Sequence, residues 1–180
     1  MIRQATISDL KPIMKIVAKV CQEMRQQGNE QWDENYPREI DFGDDIQKED
    51  LYVDETDGQV RGFICINYFE PPEYGQIHWS GSQKPMIIHR MAIASEFRKQ
   101  GIGSGLLQFA EQLAQNNGIQ YLRSDTNSAN RKMNALFGKT GYTFVGEMPA
   151  FGKKSLFNFY DKLLVGNGVK MDEVKGLKDA

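Results

Sequence analysis

The sequence predicts an α/β fold, of the α+β kind, in one domain. Three observations carry this. Residues 87–117 run as an apolar strand, a short basic turn with glycines, and an amphipathic helix. The strand-like runs 51–55 and 60–67 are joined by Thr56-Asp57-Gly58-Gln59, and Asp-Gly between such runs is a strong hairpin signal. Leu10, Ile13, Ile16, Val17, Val20, Cys21 and Met24 recur at helical spacing. In all, the chain holds about six to seven strand-like runs and about four helices.

In chain order, Ile2, Ala5 and Ile7 suggest a first strand. Ser8 is the expected cap of the first helix, with Asp9 in its acidic first turn, Pro12 where its missing N–H costs little, and Gly28 at its end. Residues 28–37, GNEQWDENYP, mix Trp32 and Tyr36 with Glu30, Asp33 and Glu34. Aromatic faces beside carboxylates would suit a cationic amine, so this segment is either one wall of an acceptor site or a surface loop pinned by a half-buried tryptophan. Residues 40–48 read as a second helix, followed by the hairpin. Residues 69–74, FEPPEY, break its second strand; Glu70 and Glu73 either reach a site or belong to a simple Pro-Pro loop. Residues 75–85 are irregular.

The central unit comes next. The strand 87–94 leads through Glu96 to Gln100 into Gly101-Ile102-Gly103-Ser104-Gly105, and Ile102, Leu106, Phe109, Ala110 and Leu113 form one helical face. A first helical turn leaves N–H groups without partners, and the macrodipole adds positive charge there. Glycines admit a phosphate close to the backbone, and Arg98 and Lys99 supply cations at the lip. This reads as a pyrophosphate seat; the alternative is an ordinary strand-to-helix turn. Residues 119–125 form another strand, Asn130 caps a helix over 131–139, Gly141 stops it, and 142–148 and 156–164 are two last strands. The domain spans residues 1–165, and 166–180 is read as a mobile tail of charged and small residues.

Bulk numbers narrow the function. A chain of 180 residues with 40% hydrophobic and 26% charged content is ordinary for a globular domain. The net charge of −2 gives no global attraction to nucleic acid or to an anionic membrane. No run approaches membrane-spanning length, and the chain opens on a strand rather than an apolar signal core. Cys21 and Cys65 sit in apolar patterns and read as buried thiols of a reduced, cytoplasmic protein. No metal site is expected from two histidines without C-x-x-C or H-E-x-x-H spacing. A P-loop and a serine-hydrolase elbow are absent as well.

His89 is the titratable group of most interest. Period two puts it on one face with Ile87, Met91 and Ile93, and an unperturbed imidazole titrates near ~6.5, so it is either a proton acceptor for an ammonium or a packed sheet histidine.

The wording R-x-x-G-x-G, here Arg98, Gly101 and Gly103, resembles the acetyl-CoA-binding motif of the GNAT superfamily of N-acetyltransferases. The wording of Gln31-Trp32 and Tyr36-Pro37 looks like a bacterial small-molecule branch of it. The resemblance is strongest over 87–142 and extends through element order over about 2–163. It implies the acyl-CoA N-acyltransferase fold, a central mixed, mostly antiparallel twisted sheet flanked by helices. It implies acetyl-CoA as cosubstrate and direct transfer to a small primary amine in a ternary complex, with a homodimer as a common assembly.

By that resemblance Arg98, Lys99, Gln100, Gly101, Ile102, Gly103 and Ser104 hold the pyrophosphate, and Met91, Ala92 and Ile93 lie along pantetheine. A peptide N–H of Met91 or Ile93 would meet the oxyanion. His89 falls on the second histidine of the H-x-H-x-L-A-V strand of aralkylamine N-acetyltransferases, while Ile87 replaces the first. Asn130, Leu136-Phe137 and Gly141-Tyr142 match the family spacing; Asn130 and Phe137 would border the cofactor, and Phe137 stands where a tyrosine often protonates the leaving thiolate. Trp32, Tyr36 and Glu73 are the candidate acceptor residues, and Asp125 reads as structural. Two other classes stay open. One is an acyl-CoA sensor without turnover. The other is a dinucleotide oxidoreductase, disfavoured by Leu106 at the third glycine position.

Overall fold

The computed structural model describes residues 1–164. Seven strands form one sheet in the order β1-β2-β3-β4-β5-β7-β6. They are β1 Ile2–Gln4, β2 Leu51–Thr56, β3 Gln59–Asn67, β4 Met86–Ile93, β5 Tyr121–Asn127, β6 Thr143–Pro149 and β7 Leu156–Leu163. The helices are α1 Leu10–Gln26, α2 Glu39–Gln47, α3 Ile102–Asn116 and α4 Arg131–Lys139. Every strand pairing is antiparallel except that of β4 with β5. The tail, residues 166–180, lies outside the described residues.

The sheet is filled on both faces because its strands alternate. Phe63 and Cys65 of β3 join Ile13, Ile16, Val17 and Val20 of α1 and Phe42 of α2. Ile64 and Ile66 join Leu106, Leu107 and Ala110 of α3 and Phe137 of α4. A third, smaller cluster holds Tyr74, Ile87, Phe157 and Phe159. The β2–β3 hairpin turns at Asp57 and Gly58, both left-handed at φ 50° and 75°, as a tight Asp-Gly turn requires.

The main departure from the sequence reading lies in β4. Ile64 of β3 opposes Met91, but Ile66 opposes Ile88, so two residues of β4, His89 and Arg90, face one of β3. This is a β-bulge, and it breaks the period-two phase. His89 therefore does not share a face with Met91 and Ile93. Those two pack with Ile88 on the α3 side. His89 and Arg90 turn together to the other side, where Arg90 reaches Asp45 of α2. The parallel ladder with β5 also ends here: it runs only from Met86 opposite Leu122 to Ile88 opposite Ser124. Beyond Ile88 the two strands part.

Smaller departures have local causes. Thr6, not Ser8, precedes the first helical turn, a 3-10 turn over Ile7–Asp9, and the Asp9 carboxylate accepts the Thr6 N–H at 2.8 Å. The first strand stops at Gln4 for the same reason. Cys65 is buried, but Cys21 is only half-buried on α1.

Phe137 has no exposed surface and stacks on Tyr160 at 4.8 Å between ring centroids. Phe137→Ala should cost about 3–5 kcal/mol in urea unfolding, the range for removing a buried aromatic ring. A loss below about 1 kcal/mol would show that the ring is not a core residue.

Candidate active site

A cavity of about 910 Å³ lies over the sheet face that carries His89 and Arg90. Trp32, Tyr36, Tyr68, Phe69, Phe151 and Phe157 line it together with charged and polar side chains. A recess of about 30 Å³ occupies the gap where β4 and β5 part, between Met91 and Asn130. The two spaces share four residues, Gln31, Trp32, His89 and Asp125.

A chain of hydrogen bonds fixes His89. Asn67 donates its Nδ2 to Asp50 at 2.9 Å, so its Oδ1 is an acceptor. That oxygen receives the Phe69 N–H at 2.9 Å and lies 2.8 Å from His89 Nε2. Nε2 therefore carries the hydrogen, and Nδ1 keeps its lone pair. Burial and the neighbouring Arg90 charge pull the imidazole down to about 4, so it is neutral throughout the physiological range. The expectation of an ordinary histidine near ~6.5 is corrected by this setting. Arg90 forks onto Asp45 and also donates to Tyr36 Oη at 2.8 Å. Tyr36 thus forms part of the wall with its hydroxyl already engaged.

Asp125, read from sequence as structural, lines both spaces. It is the first residue of β5 past the last pair with β4, half-buried and facing both of them. Tyr74 donates its hydroxyl to Oδ2 at 2.9 Å, and Oδ1 has no donor among the described residues. Loss of water pushes the carboxyl up to about 7; Tyr74 opposes the rise and the Glu73 charge adds to it. An acid at a strand end carries no sequence pattern of its own. The nearby FEPPEY turn, which supplies Tyr74 and Glu73, is the one local signal that points to it.

The 28–37 segment contributes aromatics but not the expected acids. Trp32 is buried and stacks on Phe63 at 6.4 Å. Gln31 Oε1 accepts from Thr126 Oγ1 and the Asn127 N–H, both at 3.1 Å, and so ties the segment to β5. Asp33 pairs with Lys153 at 2.7 Å and Glu34 with Arg25 at 2.9 Å. These two carboxylates are spent on surface and loop contacts, and none of Glu30, Asp33 and Glu34 lines the large cavity. Glu73 does line it, and it has no ion-pair partner among the described residues.

The glycine turn has the expected free amides. The first helical bond of α3 runs from Gly105 N–H to Gly101 O at 2.9 Å, which leaves the N–H groups of Ile102, Gly103 and Ser104 without helical acceptors. Lys99 and Gly101 are both left-handed, at φ 63° and 81°, and both are exposed with Gln100. Such alternation gathers backbone amides toward one point and favours an anion. Gly103 lies close to α4: a Cβ there would meet Leu136 Cδ2 at 2.9 Å, and the leucine side chain would have to shift. Arg98 is held inward, donating to the Ile93 carbonyl at 3.3 Å and pairing with Glu23 of α1.

Ala94 donates to Arg61 O of β3, so by alternation Ala92 faces β3 while the amides of Met91 and Ile93 point into the parted gap. Asn130 caps α4, accepting the Met133 N–H at 3.2 Å and donating to Thr126 Oγ1 at 3.1 Å, and borders the recess. Phe137 is not brought to either space. No group of three or more metal-ligating side chains converges among the described residues.

A mixed seven-stranded sheet, split between β4 and β5 and flanked by four helices, defines an acyl-CoA N-acyltransferase fold. Residues 17–142 match the family model described as Acetyltransferase (GNAT) family, and the chain belongs to that family of acetyltransferases. An uncharacterized N-acetyltransferase of Bacillus subtilis, YesJ, is 23% identical over 151 residues, covering 79% of this chain and 81% of that one. A GNAT-family acetyltransferase from Streptococcus agalactiae superposes with a TM-score of 0.81 at 26% identity, over 92% of this chain and 96% of the other. The fold is also that of yncA from Salmonella typhimurium, solved with its cofactor acetyl-CoA: TM-score 0.70, 17% identity, 94% and 96% coverage.

Folded His89 takes a proton near 4, whereas the unfolded chain takes it near 6.5. As pH falls below 6.5 the unfolded state binds the proton first, and stability is lost toward pH 4. His89→Gln removes this term. Between pH 7 and pH 5 the wild type should lose on the order of 2 kcal/mol more than the variant in urea unfolding. Parallel losses would show that His89 is not held neutral.

Proposed function

We propose that the protein moves the acetyl group of acetyl-CoA directly to a primary amine, with both substrates bound together. One observation carries this: the roomy cavity and the gap between β4 and β5 meet at His89 and Asp125. An acceptor in the first and a thioester in the second would have their reacting atoms side by side, which turns a bimolecular step into a local one.

In this reading the diphosphate of acetyl-CoA sits on the free amides of Ile102, Gly103 and Ser104, with Lys99 and Gln100 at the rim. Arg98 would exchange Glu23 for phosphate oxygen. Pantetheine would lie along Met91, Ala92 and Ile93 and fill the ladder position that β5 leaves vacant. An inward amide of Met91 or Ile93 then donates to the thioester oxygen as it gains charge, and a donor fixed by the sheet costs little reorganisation. Neutral His89 offers its Nδ1 lone pair to an N–H of the acceptor, and so orients the nitrogen. Trp32, Tyr36 and Glu73 form the acceptor wall, and Asn130 borders the thioester. A reduced, cytoplasmic setting fits the two free thiols, of which Cys65 is held in its protonated form by burial.

Acceptor-free binding of acyl-CoA is the second reading. It is favoured by Phe137, which offers no proton to a thiolate. A thiol near pKa ~8.5 departs tolerably without an acid, so this observation weighs less than the shared junction.

Thiol release should depend on both substrates, and double-reciprocal plots should intersect. Parallel lines would replace the ternary complex with a covalent intermediate, and no acceptor-dependent thiol would leave the binding module. Arg98→Ala combined with Lys99→Glu should weaken acetyl-CoA at least about tenfold in isothermal titration, in line with the loss of charge-assisted phosphate contacts. Unchanged affinity would move the diphosphate elsewhere.

A further inference from the structure

We infer that Asp125 is the group that takes the proton from the acceptor's ammonium, and that the site therefore selects amines that arrive as cations. The inference rests on the transferase reading above and deepens it.

Asp125 is one of four residues common to both spaces, and the only one with a formal charge. One carboxylate oxygen is held by Tyr74; the other is open and without a donor among the described residues. Tyr74 is itself fully buried and fixed against Trp79 and Phe159, so the carboxylate is aimed rather than free to swing. His89 lines the same junction but is neutral and hydrogen-bonded to Asn67, a poor resting place for a proton.

Of the acids that line the cavity, only Asp125 reaches the recess as well. Asp45 is neutralised by Arg90, and Asp50 accepts from Asn67. Glu73 adds negative potential, Lys153 is paired with Asp33, Glu70 is paired with Arg123, and Lys48 stands at the rim. A carboxyl raised to about 7 suits proton transfer at neutral pH, being ionised enough to bind an ammonium and basic enough to accept its proton.

In the transfer, R–NH3⁺ gives one proton to Asp125 and becomes R–NH2. The nitrogen lone pair attacks the thioester carbonyl, and the C–N bond forms. The tetrahedral intermediate collapses, the C–S bond breaks, and the electron pair leaves on sulfur. The second nitrogen proton goes to the thiolate, directly or through water, and Asp125 returns its proton to solvent. The products are the amide, the free thiol of coenzyme A and one H⁺.

The test uses the full chain with acetyl-CoA and four amines: spermidine, tyramine, lysine and an alanine-initiated tripeptide. With the best of them, kcat/KM should rise with pH through a limb near 7 and fall above the amine's own pKa, the mark of a bound ammonium. Asp125→Asn should lower kcat at least about 100-fold, abolish the limb and leave acetyl-CoA affinity unchanged, while Asp125→Glu restores part of the rate.

Tyr74→Phe removes a donor to the ionised carboxylate, so the limb should move to higher pH, a shift that a merely structural tyrosine would not produce. Turnover that survives Asp125→Asn with its limb intact overturns this assignment and spares the transferase reading. Failure of all four amines to release thiol sinks both. Should Asp125→Asn not fold, Tyr74→Phe decides: a limb left in place refutes the assignment.

Discussion

One extra residue in β4 sets the rest of this site. Two residues opposite one of β3 bend the strand, and three consequences follow from that bend. His89 and Arg90 come to the same face, the ladder to β5 stops at Ile88, and the amides of Met91 and Ile93 are left pointing at a gap instead of a neighbour. An unpaired strand edge inside a protein is costly unless something completes it. Here the β5 side of the gap is polar: Ser124 Oγ donates to Ile88 O at 2.9 Å at the last paired position, and Asn130 Nδ2 donates to Thr126 Oγ1 beyond it. Thr126 is thereby bonded to the cap of α4 and not to β4.

That opening explains why charge is distributed as it is. Arg90 would be a buried cation beside His89, and its charge would repel an ammonium. The fork onto Asp45 offsets part of it, and the Tyr36 hydroxyl accepts a further N–H. Lys153 is paired with Asp33 in the same way, and that pair also clips the 28–37 segment to the β6–β7 loop. With Arg90 and Lys153 paired, the acids that line the cavity without an ion-pair partner among the described residues are Asp50, Glu73 and Asp125, with Lys48 the unpaired cation at its rim. Keeping an acid out of water costs stability above its ordinary pKa, since the unfolded chain ionises first. Such a cost is found where a perturbed carboxyl serves a function, and cavity position and perturbation coincide here.

Much of this architecture was legible in the residues. Helical spacing, the Asp-Gly hairpin, the cap at Asn130 and the glycine turn each have a local physical signature, and the elements fall where those signatures put them. The bulge has none. Its cause is a register between strands far apart in sequence, so period two carried through His89 places it with the wrong neighbours. The same blindness hides Asp125, whose role comes from Tyr74 across 51 positions of chain. The acids of the 28–37 segment mislead in the opposite sense. They look like a cationic-substrate wall in sequence, but Lys153 and Arg25 claim Asp33 and Glu34 in space.

Gly103 shows how one residue can satisfy a motif for a reason the motif does not state. The family wording makes it a phosphate glycine. Its Cβ position, however, lies against Leu136, with Ile93 Cδ1 at 3.4 Å and Met91 Cε at 3.6 Å. The absent side chain lets α3 approach both α4 and the parted end of β4. The start of α3 and the parted end of β4 are therefore in direct packing contact at Gly103. Lys99 and Gly101, exposed and left-handed, turn the backbone just ahead of that contact.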